Sequence, residues 1–192
     1  MPIDPATLRI VHYPDPALRR KASPIEPVTD EQSAVARRMI ELMFQAEGVG
    51  LAAPQVGLPW RMFVAHVPAS EGRSPDDSPP TATVEPQIYI NPVISSPVGA
   101  PELGEEGCLS LPEITGQVMR SLIITITATD LKGVRLTHTA AGLLARCWQH
   151  EIDHLDGVLI IDRMTQGSRL RNRLLIRDLE RAGAADGRGA KF

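Results

Sequence analysis

The stretch AAGLLARCWQHEIDHL, residues 140–155, constrains the fold most. It reads as a helix, capped by Thr139 or Thr137 and ended by Gly157. On a helix, side chains four residues apart lie one above the other. His150 and His154 can therefore grip one ion from the same side. Glu151 sits ~100° round the helix from His150, so it can stand over a metal-bound water without ligating the ion. The plainer reading is two histidines satisfied by hydrogen bonds on a half-buried face.

A catalytic ion of this type takes three protein ligands and keeps a position for water. Cys147 lies on the same helical face. The ion should sit ~3 Å along the axis from His150, and Cys147 lies ~4.5 Å further back at 1.5 Å per residue. A cysteine reaching under ~3 Å, plus a Zn–S bond of about 2.3 Å, falls short of that distance. Cys147 reads as a packing residue that can touch a substrate pocket. By residue type the third ligand can be His12, His66, His138, Asp153, Asp156 or Cys108. Asp153 points off the metal face, and Asp156 lies past the helix end. Cys108, in EEGCLSLP, follows Gly107, where backbone and ligand can come close. Its thiolate would favour Fe²⁺, Zn²⁺, Ni²⁺ or Co²⁺ over Mg²⁺ or Ca²⁺. On spacing alone, a buried free cysteine explains Cys108 equally well.

The remaining chain supplies a scaffold. TDEQSAVARRMIELMFQAEG predicts a helix with a Thr29–Gln32 capping box, an apolar face of Val35, Met39, Leu42, Met43 and Ala46, and a stop at Gly48. Residues 14–28 read as proline-punctuated and extended. Strands are expected at 61–67 and 87–95, and 120–129 alternates cleanly before DLKG turns into VRLTHT. Residues 68–86, rich in Pro, Ser and Asp, read as an exposed, mobile loop. A last helix is expected from near Ser168, with Leu170, Leu174, Leu175 and Leu179 as its face. Strands and helices do not alternate, which favours α+β with antiparallel pairing. The expected fold packs antiparallel strands around a central metal-binding helix, with an N-terminal and a C-terminal helix. The 192 residues, 43% hydrophobic and 22% charged, suit a single domain over 1–192.

Bulk charge narrows the function. A net charge of −3 argues against sequence-specific nucleic-acid binding by the whole molecule. Residues 163–192 nevertheless carry eight basic side chains against three acidic ones, a net of +5, leaving −8 on residues 1–162. No apolar run approaches the ~18 residues of a membrane span. The two cysteines, Cys108 and Cys147, cannot make a disulfide framework, and MPIDPATLRI lacks a signal peptide's basic start and apolar stretch. The expected setting is the cytosol, where thiols stay reduced, with an organellar origin left open.

GVGLAAPQ, EGCLS and HEIDH, in that order, resemble the three motifs of the peptide deformylases. The resemblance runs from IVHYPDPALRRKA near the start to the final helix. It implies hydrolysis of the formyl group from N-formylmethionyl nascent peptides, releasing formate and a free amino terminus. It implies one divalent ion held by Cys108, His150 and His154 with water as fourth ligand: Fe²⁺, replaceable by Zn²⁺, Ni²⁺ or Co²⁺. Glu151 matches the general acid/base, Gln55 the side-chain amide that binds the developing oxyanion, and Leu109 the backbone N–H that does the same. Val49, Gly50 and Gly107 match positions whose backbone pairs with the peptide. Leu143 and Cys147 match walls of the methionine pocket, and Glu106 and Arg120 match a pair behind the metal. Thr115 stands where many members have arginine, which puts peptide preference in doubt. The family's last helix can dock on the ribosome, and a +5 tail suits RNA phosphates.

Two other readings compete. An HExxH peptidase cutting internal bonds usually takes a downstream His or Glu ligand. No histidine follows Gly157, and Glu180 lies on a separate helix. A degenerate, non-enzymatic paralogue would usually have lost one of Gln55, Cys108, His150, Glu151 and His154.

Overall fold

Five antiparallel strands follow one another in a single sheet, in chain order, in the computed structural model, which describes residues 3–185. The elements are α1 (Asp30–Gln45), β1 (Gly50–Ala52), β2 (Met62–Ala65), β3 (Gln87–Cys108), β4 (Leu111–Thr129), β5 (Arg135–Ala141), α2 (Gly142–Leu155), α3 (Ile160–Arg163) and α4 (Gln166–Ala185). The architecture is α+β, as the sequence order suggested. Among the described residues, no helix is long and apolar enough to cross a membrane.

Successive strand residues point to opposite faces, and β2 uses both. Phe63 and Ala65 join Tyr89, Ile126, Trp148 and Leu155 in the core beneath α2. Met62 and Val64 join Val35, Met39 and Met43 in the core beneath α1. A strand buried on both faces reads as a continuous apolar run, which is why RMFVAHV shows no alternation. A third cluster places Tyr13, Leu18, Ile161 and Met164 against Leu111, Ile114 and Val118 of β4, partly covering Cys108.

The structure corrects several local expectations. Residues 135–141 pair with β4 as a strand, so Thr137 and Thr139 do not cap α2. Thr139 instead shares a 2.8 Å hydroxyl contact with Thr125, and Ala141 precedes the helix. Helix α1 ends in a Schellman motif closed by Glu47 N–H to Phe44 O at 3.0 Å and Gly48 N–H to Met43 O at 2.9 Å. Its left-handed residue is Glu47 (φ 54°), not Gly48. Residues 14–28 are not uniformly extended, because Asp15 caps a 3₁₀ turn over Pro16–Arg19.

Strand β3 runs on to Cys108, through prolines and several register shifts that the sequence pattern concealed. Loop 68–86 is not exposed throughout. Ala82 and Thr83 are buried, and Thr83 Oγ1 accepts from Val67 N at 3.2 Å. Helix α4 begins at Gln166 and turns a partly polar face inward. Ser168 Oγ accepts from Gln117 N–H at 3.0 Å, and Asn172 Nδ2 donates to Thr115 O at 2.7 Å. Leu170, Leu174 and Leu175 are exposed instead, and only Leu179 of the expected face packs inward, beside Ile176.

Gly157 ends the helical segment in a left-handed conformation (φ 75°), where a Cβ would lie 2.6 Å from Arg19 O. Gly133 has a similar φ of 78° with open space around it. Gly133→Ala should cost about 1 kcal/mol, the left-handed penalty alone. Gly157→Ala should cost about 2–3 kcal/mol, since a backbone carbonyl must also move. Urea denaturation of the two variants checks the difference, and equal losses would contradict it.

Candidate metal centre

The end of β3 and two successive turns of α2 converge on one point. His150 Nε2 and His154 Nε2 lie 3.1 Å apart, and Cys108 Sγ lies 3.3 Å from His154 Nε2. All three donor atoms fall within 4.8 Å of one another. A tetrahedral ion with Zn–N bonds near 2.0–2.1 Å and Zn–S near 2.3 Å needs ligand separations of about 3.3–3.6 Å. One thiolate and two imidazoles at these spacings fit such an ion. Burial, then the charges of His150 and Arg120, hold His154 well below its ordinary pKa as a neutral imidazole, whereas on His150 burial is outweighed by hydrogen bonds to Cys108 and Glu106 that raise its pKa, so an ion at its Nε2 would have to displace a proton. The neutral imidazole is the form that ligates.

The other ligand candidates lie outside this group of donor atoms. His66 Nδ1 is 2.9 Å from Thr83 Oγ1, and His138 Nδ1 is 3.2 Å from Tyr89 OH. Asp156 pairs with Arg61 at 2.8 Å. Cys147 Sγ donates to Val49 O at 3.3 Å. Burial, then Glu151 and Glu106, push its thiol well above the ordinary range, so it stays protonated.

Behind the ligands runs a buried ion network. Glu106 accepts from Arg120 Nε at 2.9 Å and Nη2 at 3.0 Å, and from Arg146 Nη1 at 2.8 Å. Its Oε2 lies 3.1 Å from His150 Nδ1, which turns Nε2 of the ring toward Cys108. Burial opposes charge on Glu106, but the His150 and Arg120 hydrogen bonds and the Arg120 charge outweigh it and hold the carboxyl at about 2. Arg120 also donates to Asp153 at 2.6 Å, and Arg163 closes on Asp153 at 2.8 Å. Asp153 thus faces away from the histidines.

Gln55 lies in a 3₁₀ turn over Ala53–Val56. Its Oε1 accepts from Ala52 N–H at 2.8 Å, which fixes the amide so that Nε2 faces Cys108 Sγ at 3.6 Å and Ser110 Oγ at 3.2 Å. Leu109 occupies the turn between β3 and β4 and packs over Gly48, where a Cβ would lie 2.7 Å from its Cδ1. Glu151 is 3% exposed, and its Oε2 has no hydrogen-bond partner among the described residues. Burial first, then Glu106, raise its pKa to about 7 against the pull of His150 and Arg120.

Gly50 leaves the space that Glu151 fills: a Cβ there would strike Glu151 Oε1 and lie 2.8 Å from Cys147 Sγ. The carbonyl of Val49 already accepts from His66 N–H at 2.9 Å and from Cys147, so it is not free for a peptide. A cleft of about 550 Å³ opens over this group, lined by Gly107, Leu109, Leu143, Cys147, His150 and Glu151 among others.

The profile of the family described as "Polypeptide deformylase" matches residues 7–170. The chain belongs to the polypeptide deformylase family. It is 39% identical to the peptide deformylase of Desulforudis audaxviator over 160 residues, 83% of this chain and 95% of the relative. It is 38% identical to that of Rhodopseudomonas palustris over 187 residues, covering 97% and 99%. Among solved structures it resembles peptide deformylase from Plasmodium falciparum, with TM-score 0.81, 36% identity, and coverage of 92% and 98%. The chain is a deformylase, a hydrolase of N-terminal formyl groups in a metal-dependent family.

Several residues of this deformylase site escaped the sequence reading. Ser110, fully buried, meets Gln55 and belongs to EGCLS, but hydroxyls beside a ligand carry no distinctive pattern. Arg146 sits one turn before His150, a spacing that could have marked it as a partner for Glu106. The Asp153–Arg163 pair depends on tertiary contact and left no local signal. Removing Arg120 would leave two buried carboxylates with Arg146 and Arg163 alone. Arg120→Met should therefore destabilise the fold by about 3 kcal/mol. Guanidinium unfolding checks this, and a loss under about 1 kcal/mol would contradict it.

Proposed function

We propose that this deformylase holds one divalent ion at Cys108, His150 and His154 and removes formyl from the formylmethionyl end of nascent polypeptides, with Glu151 as general acid/base. The observation that carries the reading is a buried, unpaired carboxylate beside three converging soft donors at the floor of a cleft. When bound, a divalent ion supplies Lewis acidity that makes water nucleophilic near neutral pH. Glu151 takes the proton from the attacking water and returns it to the leaving amine, a task suited to a pKa near 7. Charge builds on the formyl oxygen during attack. The pre-oriented Gln55 amide and the Leu109 backbone N–H are the donors proposed to meet it. Leu143 and Cys147 form the apolar wall for the methionine side chain. Gly107 pairs with Thr115 on one edge and offers its other edge to the peptide, alongside Gly50 and the N–H of Val49.

The test is formate release from formyl-Met-Ala-Ser by protein purified without oxygen and supplied with Fe²⁺ or Ni²⁺. Turnover should fall at least ~100-fold in Glu151→Ala with metal content unchanged. Turnover that survives the substitution sinks the assigned role. Gly50→Ala should also cost about 100-fold while metal is retained, since the added methyl displaces the Glu151 carboxylate.

Iron is the ion we propose in the cell, since a mixed thiolate–imidazole site accepts Fe²⁺ as well as Zn²⁺, Ni²⁺ or Co²⁺. Elemental analysis of anaerobically purified protein should find about one iron per chain, lost in Cys108→Ala. Ribosome docking through the basic last helix is a second proposal. Arg173, Arg177 and Arg181 are exposed on α4. Changing all three to glutamine should weaken co-sedimentation with ribosomes in low salt and flatten its salt dependence. Unchanged sedimentation would remove the idea.

A further inference from the structure

We propose that Arg146 is a positioning residue for the metal centre: it clamps the Glu106 carboxylate that orients His150, and Gly104 leaves the space that its guanidinium occupies. The proposal rests on the metal reading above. It concerns a side chain whose hydrogen bonds go to none of the three donor atoms.

Arg146 lies one turn before His150 on α2, so both side chains leave the same face of the helix. They meet on the two oxygens of one carboxylate. Arg146 Nη1 donates to Glu106 Oε1 at 2.8 Å, and Glu106 Oε2 lies 3.1 Å from His150 Nδ1. Arg120 reaches both oxygens from β4, at 2.9 Å and 3.0 Å. Arg120 therefore ties the carboxylate to the sheet, and Arg146 ties it to the helix that carries His150. A rotation that swung Oε2 away from the imidazole would break the Arg146 bond.

The guanidinium is itself held. Its Nη1 also donates to Val118 O at 3.0 Å, and its Nη2 donates to Glu102 O at 3.1 Å, so it bridges β3 and β4. It covers Gly104, where a Cβ would lie 2.6 Å from Nη2, 2.7 Å from Cζ and 3.0 Å from Nε. Gly104 does not have a positive φ, so no left-handed turn requires glycine there. Gly104 and Glu106 stand two apart on β3 and face the same side. Arg146 lines the cleft, yet these bonds lead into the protein rather than toward a substrate.

Partners behind a ligating histidine fix its tautomer and ring orientation, and losing one typically costs 10–100-fold in metal affinity. Without Arg146 the buried carboxylate still has Arg120 as its counter-charge. The loss should therefore fall on metal binding rather than on folding.

The experiment equilibrates Ni²⁺-loaded protein with increasing nitrilotriacetate and reads the retained metal from the nickel–thiolate absorption. Arg146→Met should bind Ni²⁺ about 10–100-fold more weakly than the parent. Gly104→Ala keeps the arginine but displaces its guanidinium, and should weaken binding in the same direction. Circular dichroism of both variants should match the parent. Formate release lost at limiting Ni²⁺ should return at saturating Ni²⁺, which a merely structural fault would not allow. Parent-like affinity in either variant, or turnover that saturating metal leaves low, overturns the proposal. If Arg146→Met folds poorly, Gly104→Ala decides alone, because only the end of a flexible side chain must move there. A parent that retains no Ni²⁺ would instead overturn the metal reading beneath it.

Discussion

Arg120 lies between Glu106 and Asp153, and the rest of the site depends on that arrangement. All three residues are buried. Glu106 belongs to β3, Arg120 to β4 and Asp153 to α2. Desolvating ions costs several kcal/mol each, and a well-packed apolar substitute is often as stable. The network is therefore poor evidence for extra stability. Its consequence is positional. The β3–β4 hairpin carries several register shifts, and a slip of one residue would turn its side chains to the opposite face. Only one register brings Glu106 to Arg120 and, two residues on, Cys108 to the histidines. Breaking the network leaves buried charge uncompensated, so wrong registers are strongly disfavoured.

Burial sets the chemistry of Glu151 as well. A general acid/base works best with a pKa near the operating pH, and desolvation brings this carboxyl there. Such a group must be largely withdrawn from solvent, and Gly50 lets the carboxylate pack against the backbone. Gly50, whose position the resemblance assigns to backbone pairing with a peptide, makes room for the Glu151 carboxylate. Both demands can act on one residue, because the same absence of Cβ leaves the strand edge close to the cleft.

The legible parts of the sequence were those with local periodicity or fixed spacing. The His150–His154 pair, the capping box at Thr29 and the alternation in β4 each follow from short-range geometry. The failures occurred where tertiary contact overrode local pattern. Thr137 and Thr139 resemble helix caps, yet β4 offers them a strand partner. Leu170, Leu174 and Leu175 resemble a core face, yet the inner side of α4 must satisfy Gln117 N–H and Thr115 C=O. Ser168 and Asn172 can do this, and leucine cannot. Prolines in β3 hid more than half of a strand that leads to Cys108. Cys108 was ambiguous by spacing alone for that reason.

The inward turn of α4's polar residues also sorts the chain's charges. With Ser168 and Asn172 used against β4, the arginines at 169, 171, 173, 177 and 181 and the leucines at 170, 174 and 175 all face solvent. A basic surface thus sits on one element, while Glu105 of β3, Glu113 of β4 and Glu47 in the turn after α1 line the cleft. An inward leucine face would have left Gln117 N–H and Thr115 C=O without these partners, so the exposure of both arginines and leucines on α4 follows from two backbone groups of β4.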